Sequence, residues 1–378
     1  MHDPIARVPD PSATASPARR LTSIDAYRGF VMLLMMGEVL RLPAVAQAFP
    51  ESRVWRFLAW HQSHVAWEGC SLHDLIQPSF SFLVGVALPF SLASRARRGQ
   101  STGRMTAHAL WRALVLVALG IFLRSVGKPI TNFTFEDTLT QIGLGYPFLF
   151  WLGLRPRRDA WLALGVILVG VWVAWTAWGG DDPWAKNANI GHAFDVWFLN
   201  RFPRATPFVA NGGGYLTLSF IPTLATSLLG LVAGRWLEDR AAVRRFVVAG
   251  ILCLAAGWML SATGLCPIVK RIWTPAWVLF SGGWCFWLLA AFHWTVDERG
   301  WNRWAWPLTV IGMNSIAAYV IEHLGKGFIE QTLVTHLGRG AFDVAGPGLA
   351  PLLLGAATLA VLWTALVWMQ RRGVFLRI

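Results

Sequence analysis

The segment HQSHVAWEGCSLHD at 61–74 brings three histidines, a cysteine and two carboxylates together just before a long apolar run. Histidine titrates near neutral pH, so one of these rings could serve as a general base. His61, His64 and Glu68 would share one face of a helix, and three such ligands could hold a zinc ion. Alternatively, the segment is an interfacial belt of His and Trp at the membrane surface, with no catalytic role. No HExxH or similar ligand motif is present, so we expect no metal.

The elements that must position these residues are membrane spans. Of 378 residues, 55% are hydrophobic and 14% are charged, and apolar runs recur along the chain at about the 20-residue length needed to cross a bilayer. We predict an all-α, polytopic integral membrane protein with about ten transmembrane helices. Residues 1–20 are predicted to be a disordered cytoplasmic tail, and 21–378 a single transmembrane domain. The predicted spans are 23–41, 75–93, 106–126, 137–154, 159–178, 214–236, 243–261, 273–293, 304–323 and 349–370.

The distribution of basic residues predicts the orientation, because Lys and Arg are retained on the cytoplasmic side. With the N-terminus inside, the short inner segments hold more of these residues than the longer outer loops do. Both termini are therefore predicted to be cytoplasmic, and residues 42–74 to lie outside. Anionic lipid headgroups explain the net charge of +13 without any nucleic-acid partner. A basic inner rim would also suit the phosphates of a cytosolic cofactor.

Six short blocks of the sequence, taken in order along the chain, form a recognisable pattern. They are DAYRG at 25–29, HVAWEG at 64–69, DLIQPSFSFLVG at 74–85, LTQIG at 139–143, IWTPAWV at 272–278 and GMNSI at 312–316. From about residue 20 to the C-terminus, this pattern resembles the heparan-alpha-glucosaminide N-acetyltransferase family, which includes a lysosomal transmembrane enzyme and bacterial relatives. The stretch from His64 to Gly85 is the most specific part of the resemblance.

The resemblance implies an enzyme that takes acetyl-CoA from the cytosol as co-substrate and acetylates an amino sugar across the membrane. It places the active-site histidine, as general base or nucleophile, on His64. The charge-based orientation also puts His64 at the outer mouth. The sequence departs from the family at Val39, where the lysosomal enzyme has Asn, and at Glu322-His323, where the order is reversed. The acceptor is therefore open between a peptidoglycan amino sugar, a lipid-linked glycan and a free hexosamine.

Other polar residues have both a chemical and a structural interpretation. A carboxylate on the second ring nitrogen of His64 would fix its tautomer; Asp74 is the first candidate and Glu38 the second. Asp74 could instead cap the second span. The Asn314 amide could stabilise the anionic tetrahedral intermediate or form a hydrogen bond between helices.

Three residues are candidates for binding acetyl-CoA. Asp25 and Arg28 could contact its phosphates or form a helix-end ion pair with each other. Gln141 is either a third cofactor contact or an interhelical hydrogen-bonding residue. The main alternative function is a transporter or flippase, whose path would also be lined by polar residues within spans. We expect a bacterial inner-membrane location, and a homodimer is compatible with the sequence.

Overall fold

The computed structural model of the protein describes residues 21–178 and 180–376, so the predicted tail at 1–20 lies outside the described residues. The described part is helical and contains no β-strand, which confirms the all-α prediction. Its α-helices are α1 (Thr22–Met36), α2 (Leu42–Ala48), α3 (Arg53–His61), α4 (Ile76–Arg97), α5 (Thr102–Ser125), α6 (Thr138–Gly153), α7 (Arg157–Trp178), α8 (Ile190–Leu199), α9 (Phe220–Trp236), α10 (Ala242–Ala262), α11 (Pro275–Phe292), α12 (Trp306–Met313), α13 (Ser315–Leu337) and α14 (Ala350–Arg371).

Most of the predicted spans coincide with helices that are long and apolar enough to cross a membrane. In the described ranges there are 7 such helices, or 8 if the bent pair formed by α1 and α2 counts as one span. The protein is therefore a polytopic, all-α membrane protein. The 7 are His73–Arg97, Thr102–Ser125, Arg157–Trp178, Thr217–Trp236, Ala242–Ala262, Pro275–Glu298 and Pro347–Arg371.

Two predicted spans differ from a single long helix. The segment 137–154 contains α6, which has only 16 residues because Asp137 caps its start and the helix ends at Gly153. The segment 304–323 is broken at Asn314, whose backbone (φ −125°, ψ 37°) leaves the helical region between α12 and α13. An apolar run predicts membrane burial, but it does not reveal such a break.

Glycines at two helix crossings bring α1 and α4 close to their neighbours. A Cβ atom on Gly29 would lie 1.7 Å from the carbonyl oxygen of Leu308 in α12, and one on Gly312 would lie 1.8 Å from that of Asp25. A Cβ atom on Gly85 of α4 would lie 1.9 Å from the carbonyl oxygen of Ser227 in α9. Small residues allow such backbone contact between membrane helices. These crossings fix the two helices whose ends border the reactive segment.

The reactive segment 61–74 is joined to a distant loop at one end of the bundle. An isolated antiparallel bridge pairs Glu68 with Val269, and the Gly69 N–H donates to the Ile268 carbonyl at 3.0 Å. The loop between α10 and α11 is thereby held against the segment between α3 and α4. We call this end of the bundle the His64 end, and the opposite end, where α4 finishes, the Arg97 end.

Candidate active site

His64 and Asp74 form a close pair at the His64 end. Nδ1 of His64 is 2.8 Å from Oδ1 of Asp74. The Asp74 side chain is 1% exposed, whereas that of His64 is 37% exposed. The structure thus brings together the imidazole and the carboxylate that the sequence suggested as partners, with the carboxylate buried behind a ring that faces open space.

Asp74 is held by the segment that carries His64. Its Oδ2 accepts hydrogen bonds from the Ser71 N–H at 3.0 Å, the Ser71 hydroxyl at 2.9 Å and the Val65 N–H at 3.2 Å. The N-terminus of α4 has no side-chain cap. Asp74 therefore orders the turn between Val65 and Ser71 instead of capping the helix.

The contact with Asp74 favours one tautomer of His64. When Nδ1 carries the proton and donates it to the carboxylate, Nε2 keeps its lone pair and can accept a proton or attack a carbonyl carbon. Burial lowers the pKa of His64, and the hydrogen bond with Asp74 opposes that shift. The ring is thus a base that is neutral at physiological pH.

Lys270 is a third member of this cluster that the sequence reasoning missed. Its Nζ lies 3.1 Å from Nδ1 of His64 and 3.3 Å from Oδ1 of Asp74, and its side chain is 5% exposed. Burial lowers the pKa of Lys270, and the neighbouring Asp74 carboxylate opposes that shift. A signal was present: the basic pair Lys270-Arg271 precedes a span on the side predicted to be outside, against the usual bias of charge.

Glu38 lies near the cluster but is paired with a different histidine. Its Oε1 is 3.0 Å from Nε2 of His73, and the His73 ring is 4.6 Å from the His64 ring, centroid to centroid. The Glu38 side chain is 46% exposed. Glu38 therefore contacts His64 only through His73 and is not the carboxylate that orients it.

Asn314 lies away from His64 and contacts the C-terminal segment. Its Nδ2 donates to the Val374 carbonyl at 3.0 Å, and its Oδ1 accepts from the Leu376 N–H at 3.2 Å. The residue is fully buried and is not among those that line the cavity around His64. This position does not support a role as oxyanion donor.

Gln141 is also occupied by backbone groups. Its Nε2 donates to the carbonyls of Phe135 at 2.8 Å and Leu216 at 3.2 Å, and its Oε1 accepts from the Thr223 hydroxyl at 3.4 Å. These bonds join α6 to the start of α9. They support the interhelical interpretation and leave no contact for a cofactor.

Two cavities meet at His64. The reaction cavity, of about 430 Å³, is lined on one side by His64, His73 and Lys270 and on the other by polar residues of the loops at the same end. The vestibule, of about 560 Å³, is an open cavity bordered by α2 that shares Glu38, His64 and His73 with the reaction cavity. The exposed face of the imidazole is therefore reachable from both.

Two further cavities continue from the reaction cavity toward the Arg97 end. The middle cavity, of about 450 Å³, shares Thr138 and Tyr319 with the reaction cavity and is also lined by Asp25 and Arg28. Arg28 Nη1 is 3.5 Å from Asp25 Oδ1. Together the two cavities are lined by α1 from Asp25 to Met35, which spans about 15 Å along the helix axis at a rise of about 1.5 Å per residue.

The basic cavity, of about 580 Å³, completes the series. It shares Asp25 and Ala87 with the middle cavity, and its rim carries Arg97, Arg157 and Arg235. Shared lining residues thus connect the Arg97 end of the bundle with His64.

Two proteins of known function are similar to this chain. Heparan-alpha-glucosaminide N-acetyltransferase of Mus musculus is 23% identical over 84% of this chain and 55% of its own length. The same enzyme of Homo sapiens is 22% identical over 80% of this chain and 52% of its own length. The chain is a distant relative of this N-acetyltransferase family. It spans about half the length of the curated relatives it matches, and no family model matches it.

The other residues of the reactive segment have structural contacts in this relative of the N-acetyltransferases. His61 Nδ1 accepts from the Leu72 N–H at 3.2 Å, and Glu68 forms the bridge described above. Within 21–178 and 180–376, no three His, Cys, Asp or Glu side chains are grouped so that they could hold a metal ion. Cys70 and Cys266, which both lie at the His64 end, are free thiols.

Proposed function

We propose that the protein is a transmembrane acetyltransferase that moves an acetyl group from cytosolic acetyl-CoA to an amino sugar or glycan on the extracytoplasmic side. The observation that supports this most is the position of His64 between two cavities. On one side, the middle and basic cavities follow the reaction cavity toward the Arg97 end, each sharing lining residues with the next. On the other side, the vestibule opens at the His64 end. A base between a donor path and an acceptor opening is what transfer across a bilayer requires.

The basic cavity is suited to the nucleotide part of acetyl-CoA. Arg97, Arg157 and Arg235 lie at its rim, and guanidinium groups bind phosphates through paired hydrogen bonds. In the predicted orientation this rim lies on the cytosolic side of a bacterial inner membrane. Asp25 and Arg28 lie further in, where the middle cavity is lined largely by apolar side chains that suit the uncharged arm of the cofactor.

The reaction at His64 follows from the tautomer that Asp74 favours. The acceptor amine attacks the thioester carbon, Nε2 of His64 accepts a proton from the amine, and the tetrahedral intermediate expels the CoA thiolate, which takes up a proton. In the alternative course Nε2 attacks the thioester carbon and the C–S bond breaks, releasing the CoA thiolate, which takes up a proton. The amine then attacks the acetyl-imidazolium, the bond between Nε2 and the acetyl carbon breaks, and the freed Nε2 accepts the amine proton. Both courses require an unprotonated Nε2.

A transporter or flippase is the second candidate, and the series of connected cavities is the observation that favours it. A substrate path would use the same cavities. It would not need an imidazole oriented by a carboxylate that is 1% exposed. We therefore rank transport below acetyl transfer.

Incubation of the purified protein with radiolabelled acetyl-CoA and a panel of amino sugars tests the proposal. We expect acetylation of at least one amine, with release of one CoA thiol for each acetyl group transferred. Movement of a sugar or lipid-linked glycan across proteoliposomes, without acetylation of any amine, would instead establish the transporter.

A further inference from the structure

The Lys270 ammonium is close to both atoms that form the contact between His64 and Asp74. Its Nζ is 3.1 Å from Nδ1 of the imidazole and 3.3 Å from Oδ1 of the carboxylate, while those two atoms are 2.8 Å apart. Three potentially charged groups therefore meet within hydrogen-bonding distance at the buried side of the ring. The opposite nitrogen, Nε2, is the one left for chemistry.

These distances restrict where the protons lie. Nδ1 cannot donate to Asp74 and accept from Lys270 at the same time, because the ring nitrogen has either a proton or a lone pair in that direction. An unprotonated Nδ1 at 2.8 Å would turn its lone pair toward a carboxylate oxygen. The arrangement that satisfies all three groups has Nδ1–H and Lys270 both donating to Asp74. The ammonium then faces the ring without a hydrogen bond and acts on it through its charge.

The charges around His64 come from several elements. Asp74 and Glu38 favour the protonated ring, and Glu38 acts mainly through His73. Lys270 and His73 disfavour it, and Arg271, which donates to the Val65 carbonyl at 3.2 Å, acts on Lys270. The titratable and charged groups around His64 and its partners are Glu38 just after α1, Cys70, His73 and Asp74 before α4, Tyr215 before α9, Lys270 and Arg271 before α11, and Lys326 in α13 near Glu38; Arg124, Glu136, Asp137, Tyr319 and His323 line the same cavity.

We infer that Lys270 is a positioning residue of this site, whose charge keeps the His64 ring neutral so that Nε2 stays available as base or nucleophile. The inference rests on the proposed function and adds a residue to it. Asp74 alone would orient the ring but would also stabilise the imidazolium. Lys270 neutralises the carboxylate without removing it, so the ring retains the fixed tautomer and loses the excess stabilisation of its protonated form. Burial lowers the pKa of His64 first, and the Lys270 charge lowers it further.

Titration of His64 by chemical modification tests the role of Lys270 without requiring acetyl-transfer activity. Diethylpyrocarbonate reacts with neutral imidazole, so its rate at the His64 peptide, followed by mass spectrometry from pH 4.5 to pH 8.5, reports the ring's pKa. In the full-length protein in detergent we expect a value below the ordinary ~6.5 of histidine. Lys270→Met should raise it by ~1 to 2 pH units, since a nearby like charge shifts a pKa by about this much.

Matched variants separate charge from structure. Lys270→Arg keeps the charge and should stay close to the wild type, whereas Lys128→Met removes an exposed lysine and should have no effect. Lys270→Gln serves as a second neutral variant if Lys270→Met does not give a folded, monodisperse protein. A wild-type value above ~6.5, or a neutral variant with an unchanged titration, would overturn the inference.

The pH dependence of acetyl transfer gives a second measurement. The acid limb of the rate profile should move to higher pH in Lys270→Met by the same ~1 to 2 units. Well below the midpoint of the limb, the rate of the variant, as a fraction of its own plateau, should therefore be ~10- to 100-fold lower than that of the wild type. A lower plateau with an unmoved limb would mean that Lys270 only supports the structure. If no variant and no wild-type preparation transfers acetyl, the proposed function fails, and the modification titration still decides the role of Lys270.

Discussion

The reaction cavity and the middle cavity are neighbours of similar size with different linings. The first contains a buried charge cluster in which Asp74 and Lys270 are each 5% exposed or less. The second is lined mainly by apolar side chains of several helices and the C-terminal segment, with Arg112 and the Asp25–Arg28 pair as its charged residues. Removing charges from water is costly unless they are well paired. The cluster at His64 is therefore where oriented charge supports chemistry, and the middle cavity is suited to hold a substrate passively.

Cysteine labelling tests whether the His64 end and the Arg97 end lie on opposite sides of the membrane, as proposed. In a background without the four native cysteines, Glu51→Cys near the vestibule should react with an impermeant maleimide added to intact cells. Arg98→Cys at the Arg97 end should react only after the membrane is opened. The expected difference is all or none, because both native side chains are exposed. The reverse pattern would contradict the orientation and with it the assignment of donor and acceptor sides.

Substitution of His64 should produce the largest kinetic effect in the reaction cavity. A general base contributes ~10²- to 10⁴-fold to rate, so His64→Ala should reduce acetyl transfer by that factor while the protein still inserts. His61→Ala is the matched control, because that ring accepts a hydrogen bond from the Leu72 backbone and packs against Phe57 and Trp60, away from Asp74. Comparable losses in the two variants would mean that the segment acts through its structure and that His64 has no special role.

Substitution of Arg28 tests whether the middle cavity binds acetyl-CoA. Arg28→Ala should raise the Michaelis constant for acetyl-CoA ~10- to 100-fold, since a hydrogen bond to a charged group contributes ~1.5–3 kcal/mol. The constant for the sugar acceptor should change little. The two constants are measured by varying each substrate at saturating levels of the other. An equal rise in both would favour the ion pair with Asp25 as the main role of Arg28.

The sequence was sufficient for the pairing of His64 with Asp74 and for most of the helices. The apolar runs are long enough to identify spans, and the separation of ten residues is bridged by a turn that Asp74 itself organises. Lys270 could not be placed, because it is 206 positions from His64 and is brought there by contacts between two distant loops, among them the bridge between Glu68 and Val269. Long-range contact between loops leaves no periodicity in the sequence.

The sequence alone does not distinguish a catalytic from a structural role for a buried amide such as Asn314. Its substitution is expected to have the smallest kinetic effect. Its amide satisfies the Val374 carbonyl and the Leu376 N–H. Asn314→Ala should therefore destabilise the protein by ~1–3 kcal/mol, the cost of leaving buried polar groups unsatisfied. Thermal unfolding in detergent measures this, with the exposed Asn302→Ala as the matched control. The turnover rate below the unfolding temperature should remain close to that of the wild type. Loss of an oxyanion donor would instead lower turnover by ~10²- to 10³-fold, and a loss of that size would place Asn314 at the reacting atoms and extend the catalytic region beyond the His64 end.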